Sequence, residues 1–264
     1  MTNPATGQPY VDALIIVDVQ NDFCPGGNLA VPRGDEVVRV LNEYIAEATK
    51  KNIPIFASRD WHPADTTHFA TQSAHGVWPD HCVRGTWGAL YREDLKLPTT
   101  TYIVSKGIDR AGALADGYSA FDGTLDVGKL YKLPRVQVKK PRGAKAETSD
   151  PHALPTPEEV VESNRTLPNA EKTAVSGMSL AAALHKLDVT RVYVGGLATD
   201  YCVRATVLSA LEGGFAVVWL RDASLPVEAN EGDGAKAEIE MLTTGATAIT
   251  IAKFHPTPAQ LPAT

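Results

Sequence analysis

Apolar residues along this chain fall into short solid runs, and helical spacing fills the stretches between them. Ala13 to Val17, ALIIV, is one such run, the pattern of a strand buried on both faces. Ile53 to Ser58 and Thr101 to Val104 read as a second and a third strand. Val192 to Val194, running into Gly195 and Gly196, reads as a fourth, and Ala216 to Leu220 and Ala248 to Ala252 complete six. Between the first two, Val37, Val40, Leu41, Tyr44, Ile45 and Ala48 recur at helical spacing. Asp35 and Glu36 stand at the positive end of that helix, Lys50 and Lys51 at its negative end. Further helices are expected over Ser179 to Leu187, from Cys202 onward and near Ala235 to Leu242. Short apolar strands alternating with helices predict an α/β fold. The expected form is a three-layer, Rossmann-like α/β/α arrangement around a central six-stranded, mostly parallel sheet.

Pro25, Gly26, Gly27 and Pro32 mark a loop after the first strand, and Trp61, His62 and Pro63 open a longer one that runs to Gly88. From about Pro134 to Pro168 prolines and charges gather, KKPRGAKAETSD among them. That composition reads as an excursion outside the core. The strand-and-helix pattern resumes beyond it, so residues 1–264 are expected to form one domain with a loop-rich insertion at about 124–178. With 264 residues, 44% of them hydrophobic, the chain can bury a sizeable core. A net charge of -6 gives no basic footprint for nucleic acid. No apolar run nears the ~20 residues of a membrane span. The N-terminal MTNPATGQPYVD lacks the apolar centre of a signal peptide. Three cysteines, an odd number without framework spacing, point to a reducing cytosol. The expected partner is a small molecule, not nucleic acid or membrane; a homo-oligomer is compatible with this composition.

In parallel sheets the ligand sits beyond the carboxyl ends of the strands. Asp18, Asp60, Lys106 and the turn from Ala198 to Cys202 all fall just after such ends. Cys202 is expected at a helix start, where free N–H groups favour a thiolate, and a nearby lysine lowers a thiol pKa further. Lys106 can supply that charge, and Asp18 can carry a proton from thiol to leaving group. The plainer reading of Asp18 and Lys106 is an ion pair at a sheet end, and of Cys202 a packed core thiol. Asp60 and His62, with His81 in WPDHCV, offer a carboxylate and imidazoles that suit zinc, iron or manganese. The plainer reading of this stretch is a solvated, His-rich loop. His68 is either a further ligand or a group behind the ligands, and His75 reads as surface. Cys24 and Cys82 read as inert packing.

The set ALIIVDVQNDF, RDWHP, WPDHCVRGTWGA, the SKG of Ser105 to Gly107, YSAF at Tyr118 to Phe121 and GLATDYCVRAT resembles the nicotinamidase/pyrazinamidase family. These are cysteine hydrolases of the isochorismatase-like superfamily. The motifs stand in the family's order and cover most of the chain outside the N-terminal tail and the excursion. The DWHP and YSAF forms look closer to fungal-type nicotinamidases than to bacterial pyrazinamidases. The resemblance implies an isochorismatase-like fold, with Asp18, Lys106 and Cys202 as catalytic triad. It implies Asp60, His62 and His81 as ligands of one divalent metal ion, zinc foremost, iron or manganese also suited. It implies a cis peptide at Leu197–Ala198, with the N–H groups of Ala198 and Cys202 as oxyanion hole. Phe23, Leu29, Trp78 and Tyr118 would hold a pyridine ring, with Tyr201 as a further wall. The implied reaction turns nicotinamide, and pyrazinamide, into the acid and ammonia through a thioester on Cys202, within cytoplasmic NAD salvage. An isochorismatase would use neither the cysteine nor this metal set. A non-catalytic binding protein on the same fold would be expected to have lost one of these residues. Two features depart from the family pattern. The excursion is longer than in compact members, and His68 matches a histidine ligand of some bacterial members only.

Overall fold

A computed structural model of the chain describes residues 2–3, 6–112, 114–126, 175 and 177–257. The strands are β1 (Asp12–Val17), β2 (Ile55–Asp60), β3 (Tyr102–Lys106), β4 (Thr124–Leu125), β5 (Arg191–Leu197), β6 (Ala216–Leu225) and β7 (Thr247–Ile249). They form one sheet in the order β4-β3-β2-β1-β5-β6-β7. Only the β3–β4 pair is antiparallel. Among the described residues the count is thus seven, not six, because the two residues of β4 are too few to show an apolar period. β6 runs on to Leu225, past the charged Arg221 and Asp222 that end its apolar run in the sequence. Its pairing with β5 shifts register, from Val194 opposite Trp219 to Gly196 opposite Ser224. β7 stops at Ile249, short of Ala252, because the chain turns into a single 3-10 turn at Ile251–Lys253.

The helices are α1 (Val37–Lys50), α2 (Leu180–Lys186), α3 (Arg204–Glu212) and α4 (Asp233–Thr244). Alternation along β1 divides the core into two. Leu14 and Ile16 pack with Leu41, Tyr44 and Ile45 of α1 on one face. Ala13, Ile15 and Val17 pack on the other with Leu184 of α2, Val207 of α3 and Met241 of α4. The expected three layers follow from this, and each fully buried side chain of Leu or Ile size contributes about 1.5–3 kcal/mol. Among the described residues no helix is long and apolar enough to cross a membrane.

Strand order reverses at the centre: β1, β2 and β3 run outward one way, and β5 returns to the other side of β1. The crevice beyond the carboxyl ends of β1 and β5 is therefore where such a sheet binds a ligand. Gly196 permits this close pairing. Its φ is 130°, and a Cβ there would lie 2.1 Å from the Val17 carbonyl oxygen. At the far edge, the Leu125 N–H donates to the Met178 carbonyl at 2.8 Å, and the Gly177 N–H to the Leu125 carbonyl at 2.9 Å. The excursion expected over 134–168 lies outside the described residues.

Candidate active site

Beyond Leu197 the chain makes a cis peptide to Ala198, then one wide, π-type turn, Thr199–Val203, before α3. Cys202 sits inside that turn rather than at the first residue of α3, and is 7% exposed. Two other strand ends meet it. Asp18, one residue past β1 with φ 49°, is fully buried, and its Oδ1 accepts the Ser58 hydroxyl at 2.8 Å. Lys106 closes β3, and its Nζ lies 2.8 Å from Asp18 Oδ2, 2.5 Å from Asp60 Oδ1 and 3.5 Å from Cys202 Sγ. It also donates to the Gly117 carbonyl. Burial works against the Lys106 ammonium, but Asp18 and Asp60 outweigh it and hold its pKa well above the ordinary lysine range.

The same burial acts the other way on the thiol. It pushes the Cys202 pKa well above its ordinary value, Lys106 opposes this, and Asp18 and Asp60 add to it. The expectation of a readily ionised thiol is therefore not met. Ionising this thiol needs a neighbouring proton acceptor, and Asp18 can serve as one. Burial, opposed by Lys106, pushes its carboxyl up to about 6. Its Oδ2, though beside Lys106, takes no aligned hydrogen bond and keeps a lone pair free. Cys24 and Cys82 are buried too: burial pushes Cys24 up to about 12, and burial with Asp60 and Asp22 holds Cys82 well above its ordinary value. Both are packing, as expected.

Asp60 joins this group to a second one. Its Oδ1 faces Lys106, and its Oδ2 lies 3.6 Å from His62 Nε2 and 3.9 Å from His81 Nε2. Burial alone would raise its carboxyl, but Lys106 and His62 together hold it well below the usual carboxylate range. Gln20 clamps its backbone from both sides. The amide of Gln20 donates to the Asp60 carbonyl and accepts from the Asp60 N–H, each at 2.8 Å. One ligand atom from each of His62, His68 and His81 lies within 4.8 Å of the others.

This donor set fits a divalent cation. Both ring nitrogens of His62 are buried and without a hydrogen-bond partner. His81 spends Nδ1 on the Pro79 carbonyl and His68 spends Nδ1 on Asp116 Oδ1, each at 2.7 Å, which leaves Nε2 of each ring for a ligand. Such outer contacts fix ring orientation in metal sites. Burial and His62 push His81 down to about 3, so its ring is neutral. Ligands of such an ion stand about 2.0–2.2 Å from it, and the 3.6 and 3.9 Å separations of Asp60 Oδ2 from His62 Nε2 and His81 Nε2 are short enough for one shared ion. Gly107, with φ 62°, is packed against the cluster, and a Cβ there would stand 2.4 Å from His62 Cε1.

A pocket of about 390 Å³, counted to its open mouth, lies between the two groups. Asp60, His68, His81, Ala198 and Cys202 reach its interior. One wall is aromatic. Trp78 Nε1–H donates to the Tyr118 hydroxyl at 2.8 Å, and the Trp78 and Tyr201 rings meet edge-on at 4.9 Å. Phe23, Leu29, Val31 and Val227 complete the lining. Nine of the twelve residues singled out from the sequence line this pocket; Asp18, Lys106 and His62 do not, and stand behind it against Cys202 and Asp60. Sequence reasoning missed Asp116, Val31, Val227 and the clamp of Gln20. Asp116 lies two residues before Tyr118, but its spacing from His68 carries no signal.

Comparison with known proteins bears on this arrangement. The Isochorismatase domain family matches residues 12–124 and 133–253. The nicotinamidase of Escherichia coli K12 is 33% identical over 260 residues, covering 93% of this chain and 97% of the relative. The nicotinamidase of Saccharomyces cerevisiae is 28% identical over 239 residues, covering 81% and 88%. The pyrazinamidase of Pyrococcus horikoshii, solved in complex with zinc, superposes with a TM-score of 0.65 at 33% identity, covering 91% of this chain and 99% of that one.

Proposed function

The chain belongs to the nicotinamidase/pyrazinamidase family of isochorismatase-domain proteins, and from that premise we propose that it hydrolyses nicotinamide to nicotinate and ammonia. Pyrazinamide is the expected second substrate. The observation that carries this reading is the divided carboxylate of Asp60. One oxygen faces Lys106 of the Cys202 group and the other faces the histidines, inside one pocket. An amide and a ring nitrogen of one small aromatic ligand can therefore be read together.

Asp60, His62 and His81, with His68 as a fourth, would hold the metal ion. When bound there, a divalent cation supplies a Lewis-acid site for the pyridine nitrogen. Asp18 takes the Cys202 proton while Lys106, at 3.5 Å, balances the charge on sulfur. Sulfur then bonds to the amide carbon, and the carbonyl electron pair moves to oxygen. The N–H groups of Ala198 and Cys202 receive that oxyanion, an interaction typically worth about 3–4 kcal/mol in hydrolases. Asp18 returns its proton to the departing nitrogen, and the C–N bond breaks. A water that gives a proton to Asp18 adds to the thioester carbon, the C–S bond breaks with its electron pair going to sulfur, Asp18 returns the proton to Cys202, and nicotinate leaves. Lys106 stays charged throughout, consistent with the pull of its two carboxylates. Cytoplasmic NAD salvage is the setting that the family resemblance implies for this reaction.

Ammonia release from nicotinamide by the purified protein is the deciding measurement. Cys202→Ala is expected to lower kcat by about 10³-fold or more. Benzamide, which lacks the ring nitrogen, is expected to react with kcat/KM lower by roughly 10⁴. Equal values for benzamide and nicotinamide would end the role given to the metal ligands.

A further inference from the structure

The residues that line the pocket are braced by different means. Trp78, Tyr118 and Tyr201 brace one another, through the Trp78–Tyr118 hydrogen bond and the Trp78–Tyr201 ring contact. Val227, which also lines the pocket, stands just after β6, where no neighbouring strand holds it. Two carboxylates hold it instead. Asp200 accepts the Val227 N–H on Oδ1 at 3.0 Å and the Glu228 N–H on Oδ2 at 2.8 Å. Asp200 lies two residues before Cys202, in the nucleophile's own turn, and is 7% exposed. Glu228 takes the left-handed conformation, φ 54°, which few side chains adopt without compensation. Its carboxylate accepts the N–H groups of Gly232, Asp233 and Gly234 at 2.7, 3.1 and 3.1 Å, where α4 begins. A Cβ on Gly234 would lie 2.6 Å from Glu228 Oε1, so that fit is close.

We propose that Asp200 and Glu228 are positioning residues that set the width of the ring pocket through Val227. This rests on the pyridine-carboxamide reading above. Neither carboxylate lines the pocket, yet together they lock the residue that does. One ties Val227 to the nucleophile's turn, the other to the start of α4. The substrate side of the proposal is a limit on ring substituents: an unsubstituted six-membered heteroaromatic carboxamide fits, and one bearing a methyl group toward Val227 does not. Shape selection by one aliphatic side chain is ordinarily worth about 10–200-fold.

The test is kcat and KM for nicotinamide and for a panel of ring-methylated nicotinamides, on the metal-loaded enzyme. Val227→Ala is expected to raise the methylated-to-unsubstituted ratio of kcat/KM about tenfold for at least one isomer. Asp200→Asn and Glu228→Gln are expected to move the same ratio in the same direction, and to raise the nicotinamide KM more than they lower kcat. Glu228→Gln lies outside the nucleophile's turn, so it reads the loop even if Asp200→Asn folds poorly. Wild-type turnover of nicotinamide tests the functional reading by itself, whereas the ratio among variants tests the loop. If Glu228→Gln lowers the melting temperature and leaves both the ratio and KM unchanged, the carboxylates are structural caps and the proposal is overturned.

Discussion

Asp18 combines two roles that pull against each other. Burial, opposed by Lys106, pushes its carboxyl from 3.8 up to about 6. Below about pH 6 it is protonated and cannot take the Cys202 proton, so kcat/KM is expected to show an acid limb near that value. The stability effect has the opposite sense. Between roughly pH 4 and 6 the folded chain keeps a proton that the unfolded chain has lost, so this group's contribution to stability falls as pH rises through that window. Asp18→Asn mimics the protonated form. It is expected to abolish turnover and to be more stable than wild type at pH 7, by about 2–3 kcal/mol. Denaturant melts of both proteins from pH 4 to 7 check this. The gap should widen up to about pH 6 and then level off, and a gap independent of pH would refute the assignment of a raised carboxyl. The sequence placed Asp18, Lys106 and Cys202 at strand ends, and that was enough to bring them together. It could not give the thiol's protonation. That depends on how fully the site is buried, and burial is a property of the packed sheet.

At the scale of elements, the same contrast recurs around β3. Its apolar run and the following Lys106 were legible because strand ends in a parallel sheet share one edge. The loop after it was not. Asp116, Gly117 and Tyr118 are consecutive, yet one meets His68, the next accepts from Lys106, and the third forms the aromatic wall. No periodicity announces such a loop. Val227 escaped for a related reason: the charges Arg221 and Asp222 hide the second half of β6. Asp222 is in fact spent inside, accepting the Tyr44 hydroxyl at 2.7 Å and the Ile251 N–H at 2.9 Å. Gly107 is the hinge between the legible strand and the illegible loop. Its φ of 62° and the 2.4 Å approach of His62 Cε1 to a would-be Cβ leave no room for a side chain. Gly107→Ala is expected to cost about 1–3 kcal/mol of stability from the backbone alone. It should also displace His62 and weaken metal binding at least tenfold. Competition against a chromophoric chelator reads the second effect separately from melting. Unchanged metal affinity in a folded Gly107→Ala protein would show that His62 is not held as described.

For the whole molecule, the question is how far the site depends on the chain between β4 and α2. The two ends of that stretch are tied to each other. The Leu125 N–H donates to the Met178 carbonyl and the Gly177 N–H to the Leu125 carbonyl, at 2.8 and 2.9 Å. Val175 is buried in the core beside Leu125 and Leu180. The chain therefore leaves and re-enters the fold at one place, and a short bridge can span the gap. Asp126 must stay, because its carboxylate holds Arg59 Nη2 at 2.7 Å next to Asp60. The proposed triad and ligand residues, and the pocket-lining residues among the described ones, all lie outside 127–174. Replacing 127–174 by a Gly/Ser linker of about six residues shortens the loop by about three halvings, worth roughly 2 kcal/mol in closure entropy. The variant is expected to keep kcat/KM for nicotinamide within about threefold, since closure entropy acts on the unfolded chain and not on the pocket. Its melting temperature should hold or rise. Steady-state kinetics beside circular dichroism and metal content decide the matter. A folded, metal-loaded deletion variant without turnover would mean that the stretch supplies part of the pocket or of a contact the pocket needs.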